Sequence, residues 1–213
     1  VPNGVNVEMF HPAADRRPRT AESRLRCCFV GRIDPNKGPL LAAQAVRRAQ
    51  LRGRDVTIDV AGPVKAWGMP DDVVARYVHD LRETVAACGG RWWGPVSRGD
   101  LPNFYRRYDL AFVPSVSQEP FGLVALEALA SGCAVIASNR GGLPEVCGSA
   151  AWLIDPEDDV AFDGAIAAIA TCAGPEWDAL TTAARLHATG KTWSTTVDAL
   201  LTAIERTRPG PAT

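Results

Sequence analysis

From Arg26 onward the chain alternates short apolar runs rich in β-formers with longer amphipathic stretches. That rhythm is produced by βαβ units, in which parallel strands buried on both faces are joined by helices long enough to cross back over the sheet. The fold class is therefore α/β. The spacing predicts strands at Cys27–Val30, Val56–Ala61, Arg91–Trp93, Leu110–Val113, Ala134–Ala137 and Ala151–Ile154. It predicts helices from about Pro39 to Arg52, Asp71 to Cys88, Asp100 to Arg107, Phe121 to Ser131, Asp158 to Cys172, Pro175 to His187 and Thr195 to Arg206. Six strands with helices between them make a doubly wound, parallel, Rossmann-like sheet, whose ligands sit outside the carboxyl ends of the strands.

Residues 1–24 carry Pro, Asn, Gly and Arg with little apolar periodicity, and read as a leading linker rather than as part of the core. The sheet domain spans 25–190. Residues 191–213 are a last helix and a tail whose Pro209, Gly210 and Pro211 favour fraying.

Composition narrows the chemistry. Twenty-three basic side chains against 24 acidic ones give a net charge of −1, with no basic excess to neutralise a nucleic-acid backbone. Cysteines 27, 28, 88, 133, 147 and 172 form no C-x-x-C pair, and with no clustered His they argue against structural zinc or a disulfide scaffold. They read as small buried thiols of a reducing, cytoplasmic compartment. The uncharged stretches are too short to span a bilayer, and the first residues are not a secretory signal.

The loops after the strands carry the informative residues. The first strand ends in Gly31-Arg32, followed by Lys37-Gly38 and a helix start. A guanidinium, an ammonium and a helix N-terminus on one rim suit an anionic ligand such as a diphosphate, and the alternative is a solvated turn. After the fourth predicted strand, Glu119-Pro120-Phe121-Gly122 opens an apolar helix with Pro120 in its first turn, a second start suited to anions. Glu119 there is either a ligand contact or a charge complementing the helix dipole.

Glu127 is the only charged residue between Pro120 and Asn139. A carboxylate on an apolar helix is costly without partners, so it should meet hydroxyls of a ligand or be paired structurally to a backbone amide or an Arg. Gly141-Gly142 after the fifth strand would let backbone approach a ligand, or simply serve a turn. Gly94-Pro95-Val96 could offer backbone groups to a base ring. Arg98-Gly99-Asp100 is discounted as a helix start with Asp100 as N-cap. His11, His79 and His187 are scattered, with no nucleophile motif and no metal box.

Together, Pro2-Asn3-Gly4-Val5, Gly31-Arg32 with Lys37-Gly38, Glu119-Pro120-Phe121-Gly122 with Glu127, and Gly141-Gly142 with Glu145 resemble the nucleotide-sugar half of retaining GT-B glycosyltransferases. The closest resemblance is to the family 4 group and its E-x7-E signature, and it covers nearly the whole chain in order. It implies that Arg32 and Lys37 hold the donor diphosphate and act in catalysis with Glu119, which contacts the transferred sugar. It implies that Glu127 binds the ribose hydroxyls and that amides at Phe121, Gly122 and Leu123 complete the pocket, to which Val96, from its place at the sheet edge, adds a candidate contact near the base.

The donor would be a UDP- or GDP-linked sugar, with no cofactor and no metal. The chain departs from the family at Asn6, where Asp is usual, at Ala134, where Pro is common, and in length. It reads as a donor-binding domain separated from an amino-terminal half. That half would hold a sugar, lipid or small-molecule acceptor and could bring the protein to a membrane surface. The domain alone would bind without turnover. Alternatives are a GT-B relative with epimerase or phosphorylase chemistry, and a non-catalytic nucleotide-sugar-binding module.

Overall fold

The computed structural model describes residues 3–16, 18–65 and 68–207. Pro2 of the leading motif and the tail residues Pro209, Gly210 and Pro211 lie outside them. Strand β1 (Leu25–Val30) reads Leu-Arg-Cys-Cys-Phe-Val and exposes only Arg26, because helices cover both of its faces. Four more strands, β2 (Val56–Ala61), β3 (Leu110–Val113), β4 (Ala134–Ser138) and β5 (Trp152–Ile154), complete a sheet of order β2-β1-β3-β4-β5. Every neighbouring pair is parallel.

The helices are α1 (Pro39–Leu51), α2 (Asp71–Ala87), α3 (Leu101–Tyr105), α4 (Leu123–Ala130), α5 (Leu143–Cys147), α6 (Asp159–Thr171), α7 (Gly174–Thr189) and α8 (Trp193–Thr207). Alternate residues of each strand feed opposite faces. Cys27, Phe29, Ile58, Leu110, Phe112 and Ile136 pack with α1, α2 and α6. Cys28, Ala111, Val113, Val135 and Ala137 pack with α3, α4 and α7. Asp158 caps α6 by accepting from the amides of Val160 and Ala161, as expected for a helix start.

Four expectations need correction. The sheet has five strands. The sixth shrinks to a single parallel bridge at Trp92, held to the edge of β2 by Val60 N–H to Arg91 O and Trp93 N–H to Val60 O, both 2.9 Å. Gly89 and Gly94, at φ 67° and 69°, turn the chain out of the extended conformation on either side of the bridge. Helix α4 begins at Leu123, and Pro120 lies in the bend before it, because Gly122 caps the helix in the left-handed conformation at φ 93°. Asp100 makes no cap bond to α3 and instead accepts from Ser97 Oγ at 2.6 Å.

The fourth concerns the leading segment, which contributes to the core. Phe10 is fully buried and Arg19 nearly so, its guanidinium donating to the carbonyls of Cys172, Arg24 and Ala170. Arg185 of α7 binds the carbonyls of Val7 and Ala130 at 2.7 Å and that of Phe10. These bonds join carbonyls from segments far apart in sequence, and a periodicity scan does not register them. Val5 bridges to Thr192, tying the segment to the start of α8.

The six cysteines are free thiols, five of them buried. Burial pushes Cys133 and Cys147 up to about 12 and Cys88 up to about 11, so these thiols are protonated and unreactive at neutral pH. Among the described residues no helix is long and apolar enough to cross a membrane, and no group of His, Cys, Asp and Glu could hold a metal ion.

Candidate functional site

The strand order fixes where a ligand can enter. After β1 the chain moves outward to β2, then returns to place β3 on the other side of β1. The loops leaving β1 and β3 therefore diverge and open a crevice at the carboxyl edge, the switch point of a doubly wound sheet. Two cavities of about 340 Å³ each occupy it. Both are lined by Val30, Gly31, Arg32, Leu123 and Val124, so they are two ends of one cleft.

At the first end Lys37 Nζ donates to Glu119 Oε2 at 2.5 Å. The Ser115 hydroxyl donates to the same carboxylate oxygen at 3.1 Å. Among the described residues Glu119 is thus held by Lys37 and Ser115 on one oxygen, and neither engages Oε1. Lys37 sits in a short 3-10 turn whose first amide, that of Asn36, is capped by Asp34. Gly38 then crosses so close to β3 that a Cβ would stand 2.2 Å from Pro114 O. This contact places the lysine beside the loop that carries Glu119. Arg32 lies between the two ends and pairs with Asp34 at 3.5 Å.

The second end contains Glu127, Val96, Leu101 and Arg98. Glu127 is 3 % exposed, and Arg98 Nη1 donates to its Oε1 at 3.3 Å. Burial pushes the Glu127 carboxyl above its ordinary range, and the Arg98 charge and hydrogen bond pull it partly back. Phe121, Gly122 and Leu123 line the first end, so α4 starts there, and its N-cap Gly122 supplies no side-chain cap to the first amides.

All eight predicted site residues, Arg32, Lys37, Val96, Glu119, Phe121, Gly122, Leu123 and Glu127, line this cleft. The α1 terminus contributes less than expected, because the Leu40 amide is taken by Tyr77 Oη at 3.2 Å, and burial pushes that phenol up to about 12.

Gly141 and Gly142 line neither cavity and work from behind. A Cβ on Gly141 would meet Glu119 N at 2.4 Å and Glu119 O at 2.2 Å, while Gly142 N–H donates to Glu119 O at 2.7 Å. Backbone does approach this turn closely, as the paired glycines suggested, but it is the backbone that aims Glu119. Glu145 is exposed on α5.

Of the polar lining residues, sequence reasoning gives Asn3, Ser115 and Arg98 no role. Asn3, from the leading segment, lines the first end. Arg98 was hidden in a string that looked like a helix start, although its place in the loop after Trp93, at the carboxyl edge, was a usable signal.

A five-stranded parallel sheet with helices on both faces and a cleft at its switch point is the Rossmann-like half of a GT-B fold. The chain belongs to the family described as Glycosyl transferases group 1, which it matches over residues 12–187. It is similar to D-inositol 3-phosphate glycosyltransferases of Geodermatophilus obscurus (35 % identical, 95 % of this chain, 46 % of the relative) and Mycobacterium tuberculosis (36 %, 95 % and 42 %). The chain thus spans less than half the length of these curated relatives.

Among solved structures, sucrose-phosphate synthase from Thermosynechococcus elongatus matches with a TM-score of 0.76 at 27 % identity, over 96 % of this chain and 51 % of that one. The C-terminal domain of a glycosyl transferase group 1 family protein from Francisella tularensis shares the fold, with a TM-score of 0.63 at 23 % identity over 84 % of this chain and 97 % of that one.

Proposed function

We propose that this domain holds the nucleotide-diphosphate sugar of a retaining, family 4 glycosyltransferase, with the acceptor carried by residues beyond this chain. The observation that supports it best is the continuous cleft with Lys37–Glu119 at one end, Arg98–Glu127 at the other and Arg32 between. Its two ends suit the two ends of a nucleotide sugar. Cations and helix dipole hold the diphosphate, Glu119 Oε1 accepts from a sugar hydroxyl, Glu127 accepts from the ribose hydroxyls, and Val96 faces the base.

In transfer, the bond between the anomeric carbon and the diphosphate oxygen breaks and its electron pair leaves with the diphosphate. The acceptor oxygen bonds to that carbon on the same face, and its proton passes to the departing diphosphate. Arg32, Lys37 and the α4 amides stabilise the negative charge that grows on the leaving group, more strongly in the transition state than in the bound donor. Glu119 is tied through Oε2 to Lys37 and Ser115, which suits an orienting acceptor better than a nucleophile. The relatives named for inositol 3-phosphate suggest a phosphorylated polyol as acceptor class.

Calorimetric titration tests the assignment with UDP, GDP and ADP, the matching nucleosides, and the variants Lys37→Ala and Glu127→Ala. Diphosphates should bind at least tenfold tighter than nucleosides, on the scale of one charge-assisted hydrogen bond. Both variants should weaken them. Binding that is absent, or indifferent to both substitutions, removes the assignment.

A further inference from the structure

The carboxylate of Glu127 is buried on an apolar helix, and among the described residues Arg98 is the one whose side chain bonds it. The two differ sharply in setting. Glu127's side chain is 4 % exposed, whereas that of Arg98 is 61 % exposed on the loop between Trp93 and α3. A structural ion pair inside the core would bury both partners. Here an exposed arginine that lines the second cavity bonds one oxygen of a buried acid lining the same cavity.

We propose that Arg98 is a positioning residue for the donor's ribose end: its bond to Oε1 holds the Glu127 carboxylate in the cavity wall, so that Glu127 accepts from both ribose hydroxyls. This rests on the donor-binding reading above.

The surroundings give Glu127 little other support. Helix α3 presents Tyr105, whose hydroxyl donates to Val124 O at 3.4 Å. The loop after β1 presents Arg32, which lines the same cavity and pairs with Asp34. Buried Cys28 of β1 and Cys133 before β4 lie on the same side of the sheet, with their thiols held protonated by burial. Helix α7 presents Arg185, which is engaged at the far end of α4 with Ala130 O, and the Glu145 of α5 is exposed. With Arg98 gone, burial favours the neutral acid to higher pH. A protonated carboxyl gives up one acceptor site and no longer forms charge-assisted bonds to hydroxyls.

The test titrates wild type, Arg98→Gln and Arg98→Lys with UDP and GDP and with their 2′,3′-dideoxy counterparts from pH 5.5 to 8.5. Taking the ratio of variant to wild type at each pH removes the ligand's own phosphate titration. Arg98→Gln should weaken the ribonucleotides about tenfold at the acid end, the scale of one hydrogen bond to a charged group, with recovery toward pH 8.5. The dideoxy ligands should bind wild type and Arg98→Gln alike, and Arg98→Lys should restore most of the loss.

Carbon-13 NMR of the Glu127 carboxyl in the free protein should show its titration midpoint moving up in Arg98→Gln. If wild type binds the diphosphates but Arg98→Gln is unchanged at every pH, weakens both ligand series equally, or leaves the Glu127 midpoint in place, the role assigned to Arg98 is overturned and the donor reading stands. If wild type binds no diphosphate, the donor reading falls and carries this assignment with it.

Discussion

Lys37→Ala is expected to weaken nucleoside diphosphate binding by about a hundredfold, at the upper end of what one hydrogen bond to a charged group contributes, because two effects add. The first is loss of the ammonium at the diphosphate. The second is what the lysine leaves behind: Glu119, with a side chain only 12 % exposed, loses its cation and, among the described residues, keeps Ser115 as its side-chain partner, so its charge faces the incoming anion. The two contributions separate in a double-mutant cycle. Glu119→Gln in the Lys37→Ala background removes the stranded charge and should recover about tenfold of the loss, again the scale of one charged hydrogen bond. Thermal melts of the free proteins should follow the same order, with the single variant least stable. Titration calorimetry on the four proteins decides it. Purely additive effects would mean that Lys37 and Glu119 do not meet one ligand.

This coupling could not be read from the sequence, although both residues could. Lys37 and Glu119 stand out individually, one by the scarcity of lysine in an arginine-rich chain, the other by its place before an apolar helix. What brings them within 2.5 Å is the strand order, which sets the loops of β1 and β3 on either side of a switch point.

The main strands and helices are legible for a simpler reason: parallel strands buried on both faces produce continuous apolar runs such as Cys-Cys-Phe-Val at 27–30. The pattern fails where burial is achieved by hydrogen bonding. Arg19 and Arg185 are placed by carbonyls from distant segments, so the leading residues look unstructured in sequence while Phe10 is fully enclosed. Gly141 shows the same limit at the site. Sequence announces that something comes close there, and only the fold shows that it is the backbone of Glu119.

Glu127→Gln should produce opposite effects on stability and on binding. Burial raises the folded-state pKa of this carboxyl above its ordinary 4.5, so the folded protein holds the proton more tightly than the unfolded chain does. At low pH, where both states are protonated, the acid costs nothing. As pH rises from the unfolded value through the folded one, ionisation inside the core progressively lowers stability. A neutral glutamine escapes that cost, so the free variant should melt above wild type at pH 8, with the difference fading toward pH 4. Arg98 loses its partner but remains solvated, since its side chain is 61 % exposed.

Ligand reverses the ranking. A nucleoside diphosphate at a hundred times the wild-type Kd stabilises that protein by about 2.7 kcal/mol. If the variant binds about thirtyfold more weakly, within the range for hydrogen bonds to a charged acceptor, it gains only about 0.9 kcal/mol. For a domain of this length the wild-type gain corresponds to roughly 5–10 °C in Tm and the variant's to about a third of that. Melting curves at pH 5, 7 and 8, with and without ligand, should therefore cross. A glutamine variant that melts below wild type at pH 8 without ligand would make Glu127 a structural residue of α4. A carboxylate that destabilises the empty domain and is retained for the bound one is the behaviour a ligand-binding acid requires.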